Sequence, residues 1–404
     1  MNTEDNTKNT RSLNIGIISL YGWLKLWDNY GTLLQNFALQ TFLQKKGHET
    51  FWIRTRVAPS TQNRMEKFYV EGIDTLRSFL RLLATPILGV SRSKKLASFN
   101  ARHPRYFNEF MARHIPVTPQ EYTAQELIDA PPEVDALIVG SDQVWRDVTK
   151  VNFLGFGPHD ITRIAYAVSA PWPALDKGWF ESAVRYTPKF DAVSVREVEG
   201  VEVCNKLGRA DVTHVLDPVL LLEASDYLDI IRQDEQDQQF ATPFVLGYFV
   251  NIDNLEQIPW GPTVEFAHAR GGDLLAVPMQ GAELVIPNKY IYVPSPSEWM
   301  NAFHKTDCVV TNSYHGALFA IVMQKPFLVF LQDGAGSHQN GRFTSALKPL
   351  GLEDRLLTSD TWRDATPDEL ESRMAKPIDW GSVAVRLAEW RKISEEFLDQ
   401  ALKS

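Results

Sequence analysis

The sequence predicts an α/β protein made of two Rossmann-like, doubly wound domains that face each other across a cleft. Short apolar runs of strand length alternate with helical patterns in both halves of the chain, as in parallel sheets covered by helices. The first strand–helix–strand unit requires a right-handed crossover between parallel strands. The 404 residues exceed what one hydrophobic core usually holds, so we expect two domains.

The first half of the chain contains the strands and helices of one such domain, which we assign to residues 1–232. Residues 13–20 form an apolar run typical of a buried strand, and apolar residues then repeat with helical spacing from 33 to 42. Gly47 stands where a helix commonly ends in the left-handed conformation. Further strands are predicted at 48–54, 135–140, 163–170, 190–195 and 212–216, and a basic helix at 102–113.

The second half repeats the alternation after a break. Residues 232–239 are polar and offer nothing to bury, which predicts a linker. We assign residues 242–378 to a second domain and 379–404 to a C-terminal helix that can cross back to the first. Its strands are predicted at 244–250, 274–277, 308–311 and 327–331, and the final helix at 386–402.

Composition excludes several classes of function. The net charge is −9 and no Lys/Arg-rich block appears, which argues against nucleic-acid binding. The two cysteines, Cys204 and Cys308, lie far apart, so neither a disulfide framework nor a cysteine zinc site is indicated. Clustered His/Asp spacing is also missing, so a metal-dependent hydrolase is disfavoured and no metal is expected. Reduced thiols and the polar N-terminus indicate a cytoplasmic protein.

One segment allows contact with a membrane surface. Residues 72–90 carry many apolar side chains and are followed by Arg92, Lys94 and Lys95. Such a segment can lie at a lipid interface, which would place the protein peripherally at the inner face of the membrane. The pattern equally fits an amphipathic helix packed on its own domain, which is the commoner case.

Four predicted strand ends carry polar side chains suited to ligand binding. Because the carboxyl ends of parallel strands meet at one edge of a sheet, side chains from several such corners can converge. In the last corner, an apolar strand turns directly into a helix whose first N–H groups suit a phosphate or carboxylate. The corners are Asp28–Thr32, Gly140–Gln143, Ser194–Glu197 and Ser313–Gly316.

Each corner also has a purely structural interpretation. Asn29 and Asp142 belong to residue types that commonly cap helices. Arg196 can pair with Glu197 or Glu199 on the surface, where such pairs contribute little. His315 alone is often a hydrogen-bonded structural histidine. No Gly-rich dinucleotide or nucleotide-triphosphate fingerprint follows the first strand, so no nicotinamide-type cofactor is expected.

The corners carry sequence blocks that resemble the polysaccharide pyruvyl transferase family. The resemblance extends over about residues 14–357, with the blocks in family order. The blocks are DNYGTLLQ at 28–35, VGSDQVW at 139–145, SVRE at 194–197, LDPVLLL at 216–222, NSYHGALFAI at 312–321, and GRF at 341–343 before LGL at 350–352.

The resemblance implies a GT-B-like fold and a specific reaction. Members move a pyruvyl group from phosphoenolpyruvate, the donor substrate, onto two hydroxyls of a sugar, forming a cyclic ketal and releasing phosphate. The family's functional arginine and histidine correspond to Arg196 and His315. The acceptor would be a glycan or lipid-linked sugar of exopolysaccharide or envelope biosynthesis, held on the side of residues 1–232.

The residue types suit this chemistry. Arg196 can form two hydrogen bonds to a phosphate or carboxylate, and the N–H groups at Ser313, Tyr314 and Gly316 suit the other anionic group. His315 is the candidate for proton transfer, and Asp142 is a second candidate acid, base or sugar ligand.

Other residues are expected to contact substrate. Asn29, Thr32 and Ser141 are candidates for holding the acceptor or a phosphate, and Arg342 is a candidate second cation for phosphate. Aromatic residues Trp23 and Trp27 can stack on a pyranose ring, or simply pack over the first strand.

Two rival functions remain open. A nucleotide-sugar glycosyltransferase of GT-B-like fold would favour a carboxylate after the anion-binding corner for the ribose hydroxyls, but residues 316–324 contain no Asp or Glu. A non-catalytic family member would bind glycan or a partner within an envelope-assembly complex. The presence of both Arg196 and His315 argues against that second reading.

Overall fold

The computed structural model describes residues 11–20, 29–56, 86–170, 172, 175–234, 240 and 243–403. They form two sheets whose strands all pair in parallel. The first runs in the order β2-β1-β3-β4-β5-β6 and the second in the order β11-β10-β9-β7-β8. This architecture confirms the predicted fold of two doubly wound α/β domains in a GT-B-like arrangement.

The strand bounds follow the predicted apolar runs closely. In the first sheet they are β1 Asn14–Ile18, β2 Glu49–Trp52, β3 Ala136–Val139, β4 Thr162–Val168, β5 Ala192–Val195 and β6 Thr213–His214. In the second they are β7 Phe244–Val250, β8 Asp273–Met279, β9 Cys308–Thr311, β10 Phe327–Phe330 and β11 Leu356–Leu357. Strands such as β3, β9 and β10 are buried along their whole length, because helices cover both faces of a parallel sheet.

Helices connect the strands and cover the sheets. They are α1 Tyr30–Lys45, α2 Pro86–Arg102, α3 Phe107–His114, α4 Ala124–Asp129, α5 Lys177–Ala183, α6 Val198–Lys206, α7 Ala224–Gln233, α8 Trp260–Ala269, α9 Pro296–Lys305, α10 Tyr314–Val322, α11 Gly341–Leu347, α12 Ser359–Trp362, α13 Pro367–Met374 and α14 Trp380–Ala401.

The order of strands reverses once in each sheet, and the candidate corners lie at these reversals. In the first sheet the reversal falls between β1 and β3, from which the chain continues to α1 and to Ser141. In the second sheet it falls between β7 and β9, and α10 begins directly after β9. Ligands of open α/β sheets bind in the crevice at such a reversal.

Aromatic side chains join the two domains beside the first corner. Tyr30 of α1 stacks on Trp299 of α9, with ring centroids 5.2 Å apart and an interplanar angle of 4°. The Tyr30 hydroxyl donates to the backbone carbonyl of Pro294 at 2.5 Å, and Phe107 packs edge-on against Tyr30. The start of α1 is therefore part of the domain interface.

The last helix, α14, contacts both domains. Ser394 Oγ accepts a hydrogen bond from the backbone N–H of Leu216 at 2.9 Å in the first domain. Arg386 Nη1 donates to the Leu350 carbonyl at 2.8 Å in the second. The domain bounds that we assigned from the sequence stay predictions.

Several elements differ from the sequence expectation. The basic helix expected at 102–113 is two helices, because Pro104 follows α2 and Tyr106 adopts a left-handed φ of 56°. Helix α7 extends to Gln233 and buries Ile230 and Ile231, so the polar stretch begins later than expected. Helix α14 begins at Trp380, and strand β11 was not expected.

Some predictions concern parts of the chain that the structure does not describe. Trp23, Trp27 and Asp28 of the aromatic loop lie outside the described residues, as does most of the segment 72–90. None of the described helices is long and apolar enough to cross a membrane. The described residues likewise hold no cluster of three His, Cys, Asp or Glu side chains that could bind a metal.

Candidate active site

Arg196 is the centre of a buried charged cluster. It follows β5, and its side chain is fully buried. Its Nε donates to Glu197 at 3.1 Å, its Nη1 donates to Asp217 at 2.8 Å and to Ser141 at 3.2 Å, and its Nη2 donates to Asp142 at 3.3 Å. The simple surface pair considered from the sequence is therefore wrong. Most donors of this guanidinium are already taken by protein oxygens.

Asp217 is the most enclosed carboxylate of the cluster. It lies in the segment after β6, and its side chain is fully buried. Its Oδ2 accepts from Ser141 Oγ at 2.9 Å and from Arg196, while its Oδ1 accepts from the backbone N–H of Val219 at 3.1 Å. Burial alone would raise the pKa of Asp217, but the nearby His315 and Arg196 outweigh burial and lower it. Asp217 is therefore ionised and held in one orientation.

Asp142 connects Arg196 to the first helix. Its Oδ2 accepts from Thr32 Oγ1 at 2.8 Å, and its Oδ1 accepts from the backbone N–H of Gln143 at 2.9 Å. Its backbone φ is 74°, a left-handed conformation that aspartate tolerates better than most residues. Burial opposes ionisation, yet the charges of Arg196 and His315 lower the pKa of Asp142. This strained position fixes the carboxylate at the cleft.

Glu197 behaves differently from the two aspartates. It accepts hydrogen bonds from Ser169 Oγ at 2.7 Å and from Trp172 Nε1 at 2.8 Å, in addition to Arg196. Burial raises the pKa of Glu197 despite these partners. Glu197 is the carboxyl of this cluster that most readily retains a proton.

His315 reaches the cluster from the other domain. It lies in the first turn of α10, and its Nε2 is 3.7 Å from Asp217 Oδ2, which is ion-pair range but beyond hydrogen-bond distance. This Nε2 is buried without a hydrogen-bond partner among the described residues. His315 is therefore not the satisfied structural histidine that the sequence left possible.

Gly31 provides the space that the His315 ring occupies. A Cβ atom at Gly31 would lie 2.2 Å from His315 Nδ1 and 2.3 Å from its Cγ. Any larger residue at this position of α1 would displace the ring.

Arg342 is a second guanidinium near the cluster, at the start of α11. Its Cζ lies 5.8 Å from the Tyr314 ring centroid, while the Cζ of Arg196 lies 4.6 Å from it. Although Arg342 keeps partial solvent exposure, its Nε is buried and lacks a hydrogen-bond partner in the described structure. Burial, reinforced by the charge of Arg196, lowers the pKa of Arg342 to about 10. A partly buried cation that forms no salt bridge with a described residue is suited to an anionic ligand.

The remaining predicted residues have clear structural positions. Asn29 is the N-cap of α1, and its Oδ1 accepts from the backbone N–H of Thr32 at 2.8 Å. Ser313 precedes α10, and its side chain makes no cap within the described residues. Its backbone N–H, which was predicted to hold an anion, already donates to Thr311 Oγ1 at 2.9 Å. A Cβ at Gly316 would lie 2.5 Å from Thr311 Oγ1, so this glycine is required by packing. A contact of Gly316 with substrate stays a prediction.

Thus Ser141, Asp142, Arg196, His315 and Arg342 lie around one region where the domains meet. Sequence reasoning placed Asp217 and Gly31 within motif blocks but assigned neither a function. The available signal in the sequence was an acidic residue after a strand for Asp217 and a glycine at a helix start for Gly31. Their importance appears only when His315 is seen between them.

Together, the fold and the cluster define a two-domain α/β protein with a candidate site for an anionic ligand between its domains. Comparison with models of protein families then identifies the family of the chain. The sequence model of the polysaccharide pyruvyl transferase family matches residues 29–334, which is most of the chain. The chain therefore belongs to the polysaccharide pyruvyl transferase family. A search of curated proteins gave no significant match.

Solved structures resemble this chain at low sequence identity. UDP-GlcNAc 2-epimerase from Neisseria meningitidis, bound to UDP-GlcNAc, is 11% identical with a TM-score of 0.47, covering 96% of this chain and 99% of that one. The Rickettsia bellii UDP-N-acetylglucosamine 2-epimerase is 10% identical with a TM-score of 0.48, covering 96% of each chain. The spinosyn rhamnosyltransferase SpnG is 12% identical with a TM-score of 0.44, covering 97% and 100%. Similarities of this size say nothing about what this chain binds.

Proposed function

We propose that this protein transfers a pyruvyl group from phosphoenolpyruvate to two hydroxyls of a glycan or lipid-linked sugar. The products are a cyclic pyruvate ketal and inorganic phosphate. Family membership supports pyruvyl transfer to a saccharide. The proposed setting is exopolysaccharide or cell-envelope glycan synthesis on the cytoplasmic side of the membrane. The proposed reaction needs no cofactor besides the donor substrate.

The single observation that carries the donor assignment is Arg342. Its buried Nε has no hydrogen-bond partner among the described residues, and its Cζ lies 5.8 Å from the ring of Tyr314, the first residue of α10. The start of a helix carries partial positive charge. Phosphoenolpyruvate bears a phosphate and a carboxylate, and these two sources of positive charge match its two anionic groups. Arg196 would contact the donor only through its remaining N–H or by exchanging a carboxylate partner.

The proposed reaction divides into two additions at one carbon. His315 donates a proton to the methylene carbon, and the electrons of the carbon–carbon double bond form the new C–H bond. The first sugar hydroxyl attacks the neighbouring carbon and loses its proton. Phosphate then leaves with the electrons of its carbon–oxygen bond, and the second hydroxyl attacks the same carbon, closing the ketal. Two hydroxyl protons are released, which balances the proton taken up by carbon and the one carried by hydrogen phosphate.

Asp142 is the proposed base or sugar ligand in these additions. It is ionised and lies on the first domain, where Thr32 donates to it. Asn29, Thr32 and Ser141 lie on the same side and are proposed to shape the acceptor site. A lipid-linked acceptor would bring this side of the protein to a membrane surface.

The test is incubation of the purified protein with phosphoenolpyruvate and a panel of free and lipid-linked sugars. We expect acceptor-dependent phosphate release, together with a mass gain that corresponds to one pyruvate ketal. Arg342→Gln should reduce turnover strongly, whereas Arg363→Gln, on an exposed arginine paired with Asp333, should not. Phosphate release without any pyruvylated product would contradict the proposal.

A thermal-shift comparison distinguishes this proposal from a nucleotide-sugar glycosyltransferase. Phosphoenolpyruvate should raise the melting temperature in proportion to its occupancy of the folded state, and a nucleoside diphosphate should not. Stabilisation by the nucleoside diphosphate alone would favour the glycosyltransferase.

A further inference from the structure

Asp217 and His315 form a pair that neither domain contains by itself. His315 begins α10 in the second domain, and Asp217 follows β6 in the first. Their Nε2 and Oδ2 atoms are 3.7 Å apart, with side-chain exposures of 9% and 0%. The pair therefore exists only while the two domains are in contact.

The first domain encloses the imidazole on two sides. The Nδ1 side of the ring packs on Gly31, where a Cβ atom would lie within 2.2 Å. The Nε2 atom lies 3.7 Å from Asp217 Oδ2 and lacks a hydrogen-bond partner among the described residues. The ring is thus fixed in orientation while one nitrogen remains free to carry a proton.

Asp217 is itself held rigidly. Three donors reach its two oxygens: Ser141 Oγ, Arg196 Nη1 and the backbone N–H of Val219. One residue earlier, the N–H of Leu216 is bound by Ser394 of α14. A carboxylate fixed in this way can hold an imidazolium in place and stabilise its charge.

We infer that Asp217 is a positioning residue for His315. It holds His315 in place as the proton donor only when the domains close. This inference rests on the proposed pyruvyl transfer. Once protonated on its methylene carbon, phosphoenolpyruvate becomes reactive towards water as well as sugar. An acid assembled by closure delivers its proton only after the donor and acceptor are enclosed, so hydrolysis to pyruvate is suppressed.

Asp217→Asn tests the electrostatic part of this inference. We expect kcat to fall about 100-fold, with KM for phosphoenolpyruvate changed less than about threefold, because the acid acts in the transition state. Since His315 loses the carboxylate beside it, the pH profile of kcat should differ from that of the wild-type protein. In a His315→Gln background, Asp217→Asn should have almost no further effect on kcat. If Asp217 had a purely structural role, the losses of kcat in the two single variants would add in the double variant, and the pH profile of kcat would not change.

Gly31→Ala tests the geometric part, and it keeps the inference testable if Asp217→Asn does not fold. The added methyl displaces the His315 ring, so kcat should fall at least about 100-fold while the melting curve stays cooperative. Gly261→Ala is the matched control, because this helical glycine has open space around its Cβ position. It should retain full activity.

The outcomes separate the inference from the function. If the wild-type protein forms the ketal while Gly31→Ala and Asp217→Asn keep normal kcat and pH profiles, the inference is overturned and the function stands. If the wild-type protein forms no ketal with any acceptor, both are overturned.

Discussion

Arg196 and Arg342 lie near the same tyrosine ring but differ in their hydrogen-bond partners. Arg196 has hydrogen bonds to three carboxylates and a serine, and it is fully buried. Arg342 has a buried Nε without a partner within the described structure. The charge of the first guanidinium is compensated by carboxylates, whereas the second has a donor that no described residue accepts from. Residue type and proximity alone do not distinguish a structural cation from a ligand-binding one.

Removing Arg196 should have the largest effect on stability. Arg196→Gln leaves Asp142, Glu197 and Asp217 buried without their common counter-charge. We expect the free energy of unfolding to fall by about 3–5 kcal/mol, measured by urea denaturation. A loss of stability below about 1 kcal/mol would show that the three carboxylates do not need the charge of Arg196. The contrast between Arg196 and Arg342 would then be wrong.

Removing Arg342 should separate binding from stability. Because Arg342→Gln deletes a partly buried cation that has no salt bridge among the described residues, stability should stay the same or increase. The dissociation constant for phosphoenolpyruvate, measured by calorimetry, should rise about 10–100-fold, as expected for losing a charged hydrogen bond. A destabilised variant with unchanged binding would reverse the roles of the two arginines.

Acid pH should weaken the surroundings of Arg196 through Asp142 and Asp217, whereas Glu197, whose pKa burial raises, contributes in the opposite sense. The pKa values of Asp142 and Asp217 are lower in the folded protein than usual, because the charges of Arg196 and His315 outweigh burial. These carboxylates therefore stabilise the fold above their unfolded pKa of about 4, and this contribution is lost as pH falls towards their folded values. Between about pH 6 and pH 3, urea unfolding should show a loss of about 1–3 kcal/mol. Asp217→Asn should flatten this dependence, and an equally steep profile in that variant would exclude Asp217 as a source.

The smallest expected effect concerns the support of Asp217 from α14. Ser394→Ala removes the acceptor of the buried Leu216 N–H and should cost about 1 kcal/mol. Ser382→Ala at the exposed start of the same helix is the control, since its hydroxyl donates to Asp379 at an exposed position. Equal small losses of stability in both variants would mean that the hydrogen bond between Ser394 and the Leu216 N–H does not stabilise the surroundings of Arg196.

Most of the fold was predictable because buried parallel strands are continuous apolar runs. Strand β7 has the bounds expected from the sequence, and so does β9. The two-residue β11 carries too little pattern to be detected, and the break at Tyr106 depends on one left-handed residue. Short elements and single backbone angles are set by tertiary contacts, which apolar periodicity does not record.

The candidate site was only partly predictable, for a related reason. Motif blocks singled out Arg196 and His315, and the structure places both beside Asp217. The motif blocks did not show that neighbouring carboxylates take most donors of Arg196. This arrangement depends on how three strand ends converge in the fold. The packing of His315 against Gly31 depends on how the two domains are placed relative to each other, which a linear sequence pattern does not encode.

The chain passes between the domains twice, after α7 and again where α14 returns to the first sheet. Arg386 ties this helix to the Leu350 carbonyl, and Trp390 ties it to the His214 carbonyl. Because α14 is bonded to both domains, it limits how far they can move apart. Opening of the cleft would take His315 away from Gly31 and Asp217 together, and closing would restore both contacts at once.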